Sequence, residues 1–220
     1  APPARQLLSL VDPALHGVGE ATAPPRPSIP LASSHLLING PRDHTVSSEI
    51  KRELASADRV DLLVSFLKFS GWRLLRDDIR RFLDRRPGGL RVLTTTYLGA
   101  TDRKVLDELA ASGARVRISY DTRRTRLHAK AWLFHRDSGY STALVGSSTL
   151  SAAAITDGLE WNVRLSHVET PQVLRQFQTA FEQYWEEGEF EPYDPAADAD
   201  RVVLKDGAFG EHSTQTLTVV

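Results

Sequence analysis

The 220-residue sequence contains no cysteine and no methionine. Without cysteine there are no disulfides and no thiolate metal site. Without methionine the chain is expected to be a piece of a longer protein or a processed product. Lysine is scarce: only five of the 27 basic residues are Lys, so the position of each is informative. Apolar runs fall far short of the roughly 18 residues a membrane-crossing helix needs, so no span and no membrane partner is expected. A basic-plus-apolar leader is missing too, and a cytoplasmic location is the expectation. The phosphate loop pattern GxxxxGK[ST] is absent, which excludes a nucleotide-driven motor in this stretch. Nothing calls for a cofactor, and no internal repeat is visible.

What is there reads as a globular α/β domain. Hydrophobic residues make up 41% and charged residues 25%, ordinary for a folded domain. A net charge of −1 conceals an asymmetry. Arg115, Arg117, Arg123, Arg124, Arg126, Lys130 and Arg136 cluster with Asp121 as their only acid, while residues 182–211 are strongly acidic. A local positive field suits a polyanion such as nucleic acid, although a solvated strand-and-turn face would look the same.

Along the chain, residues 1–34 are rich in Pro, Ala and Ser and read as an arm or linker. The domain is expected over 35–195, with an acidic tail or linker over 196–220. "HLLING" reads as a short strand, 46–56 as a helix and 58–67 as an apolar strand. Ser70 is a candidate cap for a helix carrying Trp72, Leu75, Ile79, Phe82 and Leu83 at helical spacing, stopped by "RPGG". "LRVLTTTY" is a strand, Thr101 to Gly113 a helix and "ARVRISYD" a strand. "HAKAWLFH" and "TALVGSS" form a hairpin around Gly139. A short helix, the strand "EWNVRLS" and a helix opened by Thr170-Pro171 follow. This order gives a mixed, largely parallel central sheet flanked by helices, the second half mixed by the hairpin.

The chemistry concentrates in "RLHAKAWLF" and "LVGSSTL". In a strand, residues two apart share a face, so His128 and Lys130 point the same way. A buried lysine costs several kcal/mol unless paired, so that face must open onto something polar or anionic. Gly146 ends the next strand, and Ser147, Ser148 and Thr149 offer hydroxyls and N–H groups suited to an anion. Glu160 can orient an imidazole, as carboxylates do in triads. His135 and His167 sit in no motif and read as structural or surface residues. Trp132 and Phe134 read as packing beneath the site. Ser65 and Thr94 to Thr96 end two strands near the expected ligand edge.

His128-x-Lys130, then Gly146-Ser147, then an acid eleven residues after Thr149, resembles the half-motif of the phospholipase D superfamily. With "LRVLTTTYLGATDRK" and "GLEWNVRLS", the stretch from about 35 to 195 is most similar to the phospholipase D-like domain attached to bacterial superfamily II helicases. Two positions depart from the pattern: His135 stands where it has Asp, and Thr149 where it has Asn.

The resemblance implies a metal-independent phosphodiesterase acting on DNA, with RNA as the alternative substrate, through a phosphohistidine. His128 would attack phosphorus and a second imidazole would protonate the leaving oxygen. Lys130 would stabilise the non-bridging oxygens, a role worth about 3–4 kcal/mol per donor in other sites. Ser147, Thr149 and Glu160 complete the expected catalytic set, and Arg123, Arg124, Arg126 and Ser148 the nucleic-acid contacts. One motif copy implies a homodimer that completes the site, and the likeness implies helicase domains in the full-length chain. The alternative is the same domain with a degraded site, serving as a binding or interaction module. Lipid hydrolysis has less support, since no amphipathic segment suggests membrane contact.

Overall fold

The computed structural model describes residues 27–40, 44–97, 100–121, 127–198 and 201–202. Its elements are β1 His35–Leu37, α1 Val46–Ser56, β2 Arg59–Val64, α2 Phe69–Arg85, β3 Leu90–Thr95, α3 Arg103–Ala111, β4 Arg115–Ser119, β5 Lys130–His135, β6 Thr142–Gly146, α4 Ala152–Thr156, β7 Asn162–Ser166, α5 Pro171–Glu186 and β8 Phe190–Pro192. The eight strands form one sheet in the order β1-β7-β6-β5-β2-β3-β4-β8.

The mixed α/β architecture is as expected, with a larger antiparallel share. Only β2-β3 and β3-β4 pair in parallel. The helical crossovers α2 and α3 produce that half, because a parallel return needs a long connection. The β5-β6 hairpin turns at Gly139, whose φ of 82° favours glycine. β8 adds an antiparallel edge to β4, a strand not among those read from the sequence.

Helices α1 to α4 cover one face. There Val60, Leu62, Val64, Trp132, Phe134 and Leu144 meet Ile50, Trp72, Leu75, Ile79, Phe82 and Leu106. Each such side chain contributes roughly 1.5–3 kcal/mol on burial. The periodic residues of α2 are all buried, as their spacing predicts. Ser70 does not cap that helix. Its cap is Lys68, the first N–H is taken by Asp102, and the Ser70 hydroxyl accepts from the Ala152 N–H. Likewise Asp102, not Thr101, stands at the N-terminal cap of α3. The other face carries α5 alone, through Leu174, Phe181 and Trp185 against Leu63, Leu93, Leu133 and Ala143.

Part of the proline-rich stretch lies against the domain: Ile29 is buried, and the carbonyls of Pro30 and Ser33 accept from Arg164. At the other end Val202 is buried in the main core. Among the described residues no helix is long and apolar enough to cross a membrane.

Candidate active site

The register places Val64, Lys130, Gly146, Asn162 and Leu37 in one row across β2, β5, β6, β7 and β1. The β5-β6 pairing continues by one step to set Lys130 against Gly146. Paired residues point to one side, so Lys130 and Asn162 share a face at one end of the sheet. Gly146 has no room for a side chain: a Cβ would stand 2.2 Å from the Trp161 carbonyl oxygen and 2.5 Å from Asn162 Oδ1. Gly71 has a similar duty on α2, where a Cβ would lie 2.5 Å from the Leu150 carbonyl carbon. These close approaches bring the turn after β6 against both β7 and the start of α2.

His128 lies two residues ahead of β5, not inside the strand, and is exposed. Lys130 is 9% exposed, and its Nζ donates to the His128 carbonyl at 2.9 Å and sits 3.4 Å from Nδ1 of the same residue. The pair therefore shares one corner, as spacing by two predicts. Burial pushes the Lys130 pKa below the usual lysine value, and the negative field of Glu160 opposes that shift.

Among the described residues no hydrogen bond joins Glu160 to the His128 ring, and β6 lies between β5 and β7. The Glu160 carboxylate instead accepts from the Ser147 hydroxyl. The Ser147 hydroxyl in turn accepts from the Trp161 N–H at 3.2 Å, and the Ser147 N–H donates to the Trp161 carbonyl at 3.1 Å. Ser148 points inward: its hydroxyl donates to the Ala154 carbonyl and accepts from Asn162 Nδ2 at 2.7 Å. That commits the hydroxyl to the turn and leaves only its backbone for a ligand. Thr149 Oγ1 lies 3.4 Å from Ser151 Oγ, and Ser151, not the Gly-Ser run, caps α4. Arg123, Arg124 and Arg126 fall outside the described residues. Ser65, Thr94, Thr95 and Thr96 are buried, and the Thr94 and Thr95 hydroxyls donate to the carbonyls of Ser65 and Ser119, bracing the strand ends.

Two features were not anticipated. Asn162 holds Ser148 from the neighbouring strand and is buried, while the apolar alternation of "EWNVRLS" pointed to Trp161 and Val163 as the inward residues. A cavity of about 250 Å³ beside His128 is lined by Tyr184, Glu187, Glu189 and Phe190 from the end of α5 and beyond. Helix periodicity alone does not show which strand end that helix will reach.

At this end of the mixed eight-stranded sheet an exposed imidazole stands beside a buried lysine, near a Gly-Ser turn tied to a carboxylate. A family model described as "Cardiolipin synthase, PLD-like domain" matches residues 50–185, and the chain belongs to that phospholipase D-like family. No curated protein matches it. Among solved structures it resembles Nuc, a phospholipase D family member from Salmonella typhimurium, at 17% identity and TM-score 0.53, covering 73% of this chain and 97% of that one. NucT from Helicobacter pylori matches at 14% identity and TM-score 0.55, covering 73% and 99%. Polyphosphate kinase from Porphyromonas gingivalis matches at 12% identity and TM-score 0.51, covering 74% of this chain but 24% of its own. At these identities the likeness is one of fold.

Proposed function

We propose that this chain is a phosphodiesterase that cleaves DNA through a phosphohistidine. Residues 35–195 would form the working domain of a larger helicase-type protein. The observation that carries the reading is the corner where exposed His128 meets Lys130, an almost buried lysine with no carboxylate bonded to its ammonium among the described residues. Such a lysine wants an anion in front of it, and a phosphodiester meets that need.

In the first step an imidazole nitrogen of His128 bonds to phosphorus and the bond to the leaving oxygen breaks. A second imidazole gives that oxygen its proton. Water deprotonated by the same base then displaces His128. Lys130, Ser147 and Thr149 face the phosphate oxygens, while Arg123, Arg124, Arg126 and the Ser148 backbone contact the flanking nucleic acid. The second imidazole is the His128 of a second copy, since the motif occurs once per chain. Glu160, which makes no bond to its own His128 among the described residues, then serves the shared site.

The test is incubation with labelled single- and double-stranded DNA, and RNA, in EDTA, scored for cleavage and binding. Cleavage that persists in EDTA supports the reading; activity restored only by Mg²⁺ or Mn²⁺ would sink it. Binding without cleavage would favour a degraded module, for which Thr149, its hydroxyl turned toward Ser151, is the specific argument.

A further inference from the structure

Leu127, His128 and Ala129 run alongside the turn that leads from α5 into β8. Phe181 and Trp185 anchor the helix to the sheet, and Leu127 and Phe190 join the same apolar cluster. The helix ends where the Glu187 N–H donates to the Gln183 carbonyl at 2.9 Å, and Phe190 then pairs with Ser119 on β4. Between these segments lies the cavity of about 250 Å³ beside His128. Pockets for drug-sized ligands usually span about 300–1,000 Å³, so this one suits a single ring system. Its aromatic lining is uneven. Phe190 is 4% exposed, whereas Tyr184 is 39% exposed and tilted 46° from it, with ring centroids 6.3 Å apart. One open aromatic face therefore stands beside the reactive imidazole. Two carboxylates stand there as well. Glu189 accepts from the Ser119 hydroxyl at 2.9 Å. Glu187 is exposed, and no hydrogen bond or ion pair engages its carboxylate among the described residues. His128 is the only basic side chain among the described residues of the lining.

We propose that this cavity receives an unpaired nucleobase next to the phosphate held at His128, with Tyr184 as its stacking platform and Glu187 as the reader of its amino edge. This rests on the nuclease reading of the site. The lining chooses the occupant. Two carboxylates repel a further phosphate. A purely aliphatic group would bury them against nothing that pairs with them. A quaternary ammonium is best held by several rings around it, and with Phe190 covered only one ring is open. A flat ring with N–H donors satisfies both the aromatic face and the carboxylate. A carboxylate only accepts. Cytosine offers it the N4 amino group, adenine N6 and guanine N2, whereas thymine presents carbonyl oxygens and no amino group. Cleavage beside cytosine, adenine or guanine is therefore favoured over cleavage beside thymine. The base must leave a duplex to reach Tyr184, so single strands are preferred as substrate.

Two measurements test this. Cut sites are mapped on single-stranded DNA of random sequence for the wild type, Tyr184→Ala and Glu187→Gln. Binding of cytidine and thymidine oligonucleotides is followed by fluorescence anisotropy in a His128→Ala background, where cutting does not interfere. Both pocket positions are exposed, and circular dichroism checks that each variant folds. The wild type should cut beside thymine at least about 5-fold less often than beside the other bases. Tyr184→Ala should weaken binding of both oligonucleotides about 10-fold, the order of a lost base stack. Glu187→Gln should narrow the difference between them, because an amide both donates and accepts. Cleavage without base preference, or a preference that neither variant alters, would overturn the proposal and leave the nuclease reading standing. A chain that never cleaves, yet tells the two oligonucleotides apart through Glu187, would sink the nuclease reading and keep the pocket. Neither binding nor cleavage would overturn both. Hydrolysis of a phosphorylcholine diester that depends on Tyr184, with no effect of Tyr184 on DNA, would assign the ring to a quaternary ammonium and overturn the proposal.

Discussion

The two histidines that bracket β5 behave as opposites. His128, at the site end, is exposed, and among the described residues its ring has only the loose 3.4 Å approach of Lys130 Nζ. His135, at the far end and on the opposite face, donates from Nε2 to the Asp61 carboxylate at 2.6 Å and has Gln178 Nε2 at 3.3 Å from Nδ1. Asp61 is itself gripped by Arg91 at 2.7 and 2.9 Å, and Arg91 also binds Glu182. An imidazole whose nitrogens are already engaged is a strut, whereas one left open can react. His135 also occupies the position where the family half-motif has Asp. Here the carboxylate stands one strand away, as Asp61, and the imidazole reaches it.

The largest effect expected from breaking this contrast is on rate. His128→Ala should lower DNA cleavage by at least about 10³-fold, as other nucleophile removals do. Its stability should stay within about 0.5 kcal/mol of wild type, because the side chain is exposed. Urea unfolding beside a cleavage assay measures both. A variant that unfolds early, or cleaves at the wild-type rate, would end the assignment of His128 as the reactive group.

The next effect belongs to the far end. Burial alone would raise the Asp61 carboxyl, but hydrogen bonds from His135 and Arg91 outweigh it and hold the pKa below the usual range. Its contribution is therefore present above the unfolded value of about 3.9 and is lost as pH falls through the depressed folded value. Asp61→Asn should cost about 3 kcal/mol at neutral pH, since it strips a carboxylate from a buried guanidinium. The gap to wild type should close in acid. A penalty independent of pH would show that shape, and not charge, is what Asp61 supplies.

His135→Ala should cost less, about 1–2 kcal/mol, because Arg91 still holds Asp61 after the imidazole bond is lost. Cleavage should be unchanged. Equal stability but lost cleavage would move His135 from strut to participant and erase the contrast between the two ends.

How much of this was legible in the sequence follows from where partners come from. Helix α1 falls over 46–56 as its pattern predicts, and the apolar stripe of α2 is buried in full. Such elements are fixed by local periodicity. The site corner was legible as well, because His128 and Lys130 lie two residues apart. Two things were hidden. The face of β7 was one, because apolar alternation normally marks the inside; here Arg164, paired with Glu53 and Glu49, takes the inner positions and turns Trp161 and Val163 outward. The other was the partner of Glu160, since the spacing of eleven after Thr149 does not reveal that its carboxylate accepts from the Ser147 hydroxyl.

The smallest expected effect sharpens the site end alone. Burial disfavours the Lys130 ammonium, so its proton leaves below the ordinary lysine value of about 10.4. Activity that needs the ammonium is present at lower pH and falls as pH rises through that depressed value. The alkaline limb of kcat/KM, which reports the free enzyme, should therefore lie below the ordinary lysine range. Glu160 opposes the shift, so Glu160→Gln should move the limb lower still, whatever it does to the rate. Lys130→Arg should abolish the limb over the same range, because a guanidinium keeps its charge. His135 lies at the other end of β5, so His135→Ala should leave the limb where it was. A limb that survives in Lys130→Arg, or that moves with His135 and not with Glu160, would place the titrating group outside the corner that His128 and Lys130 share.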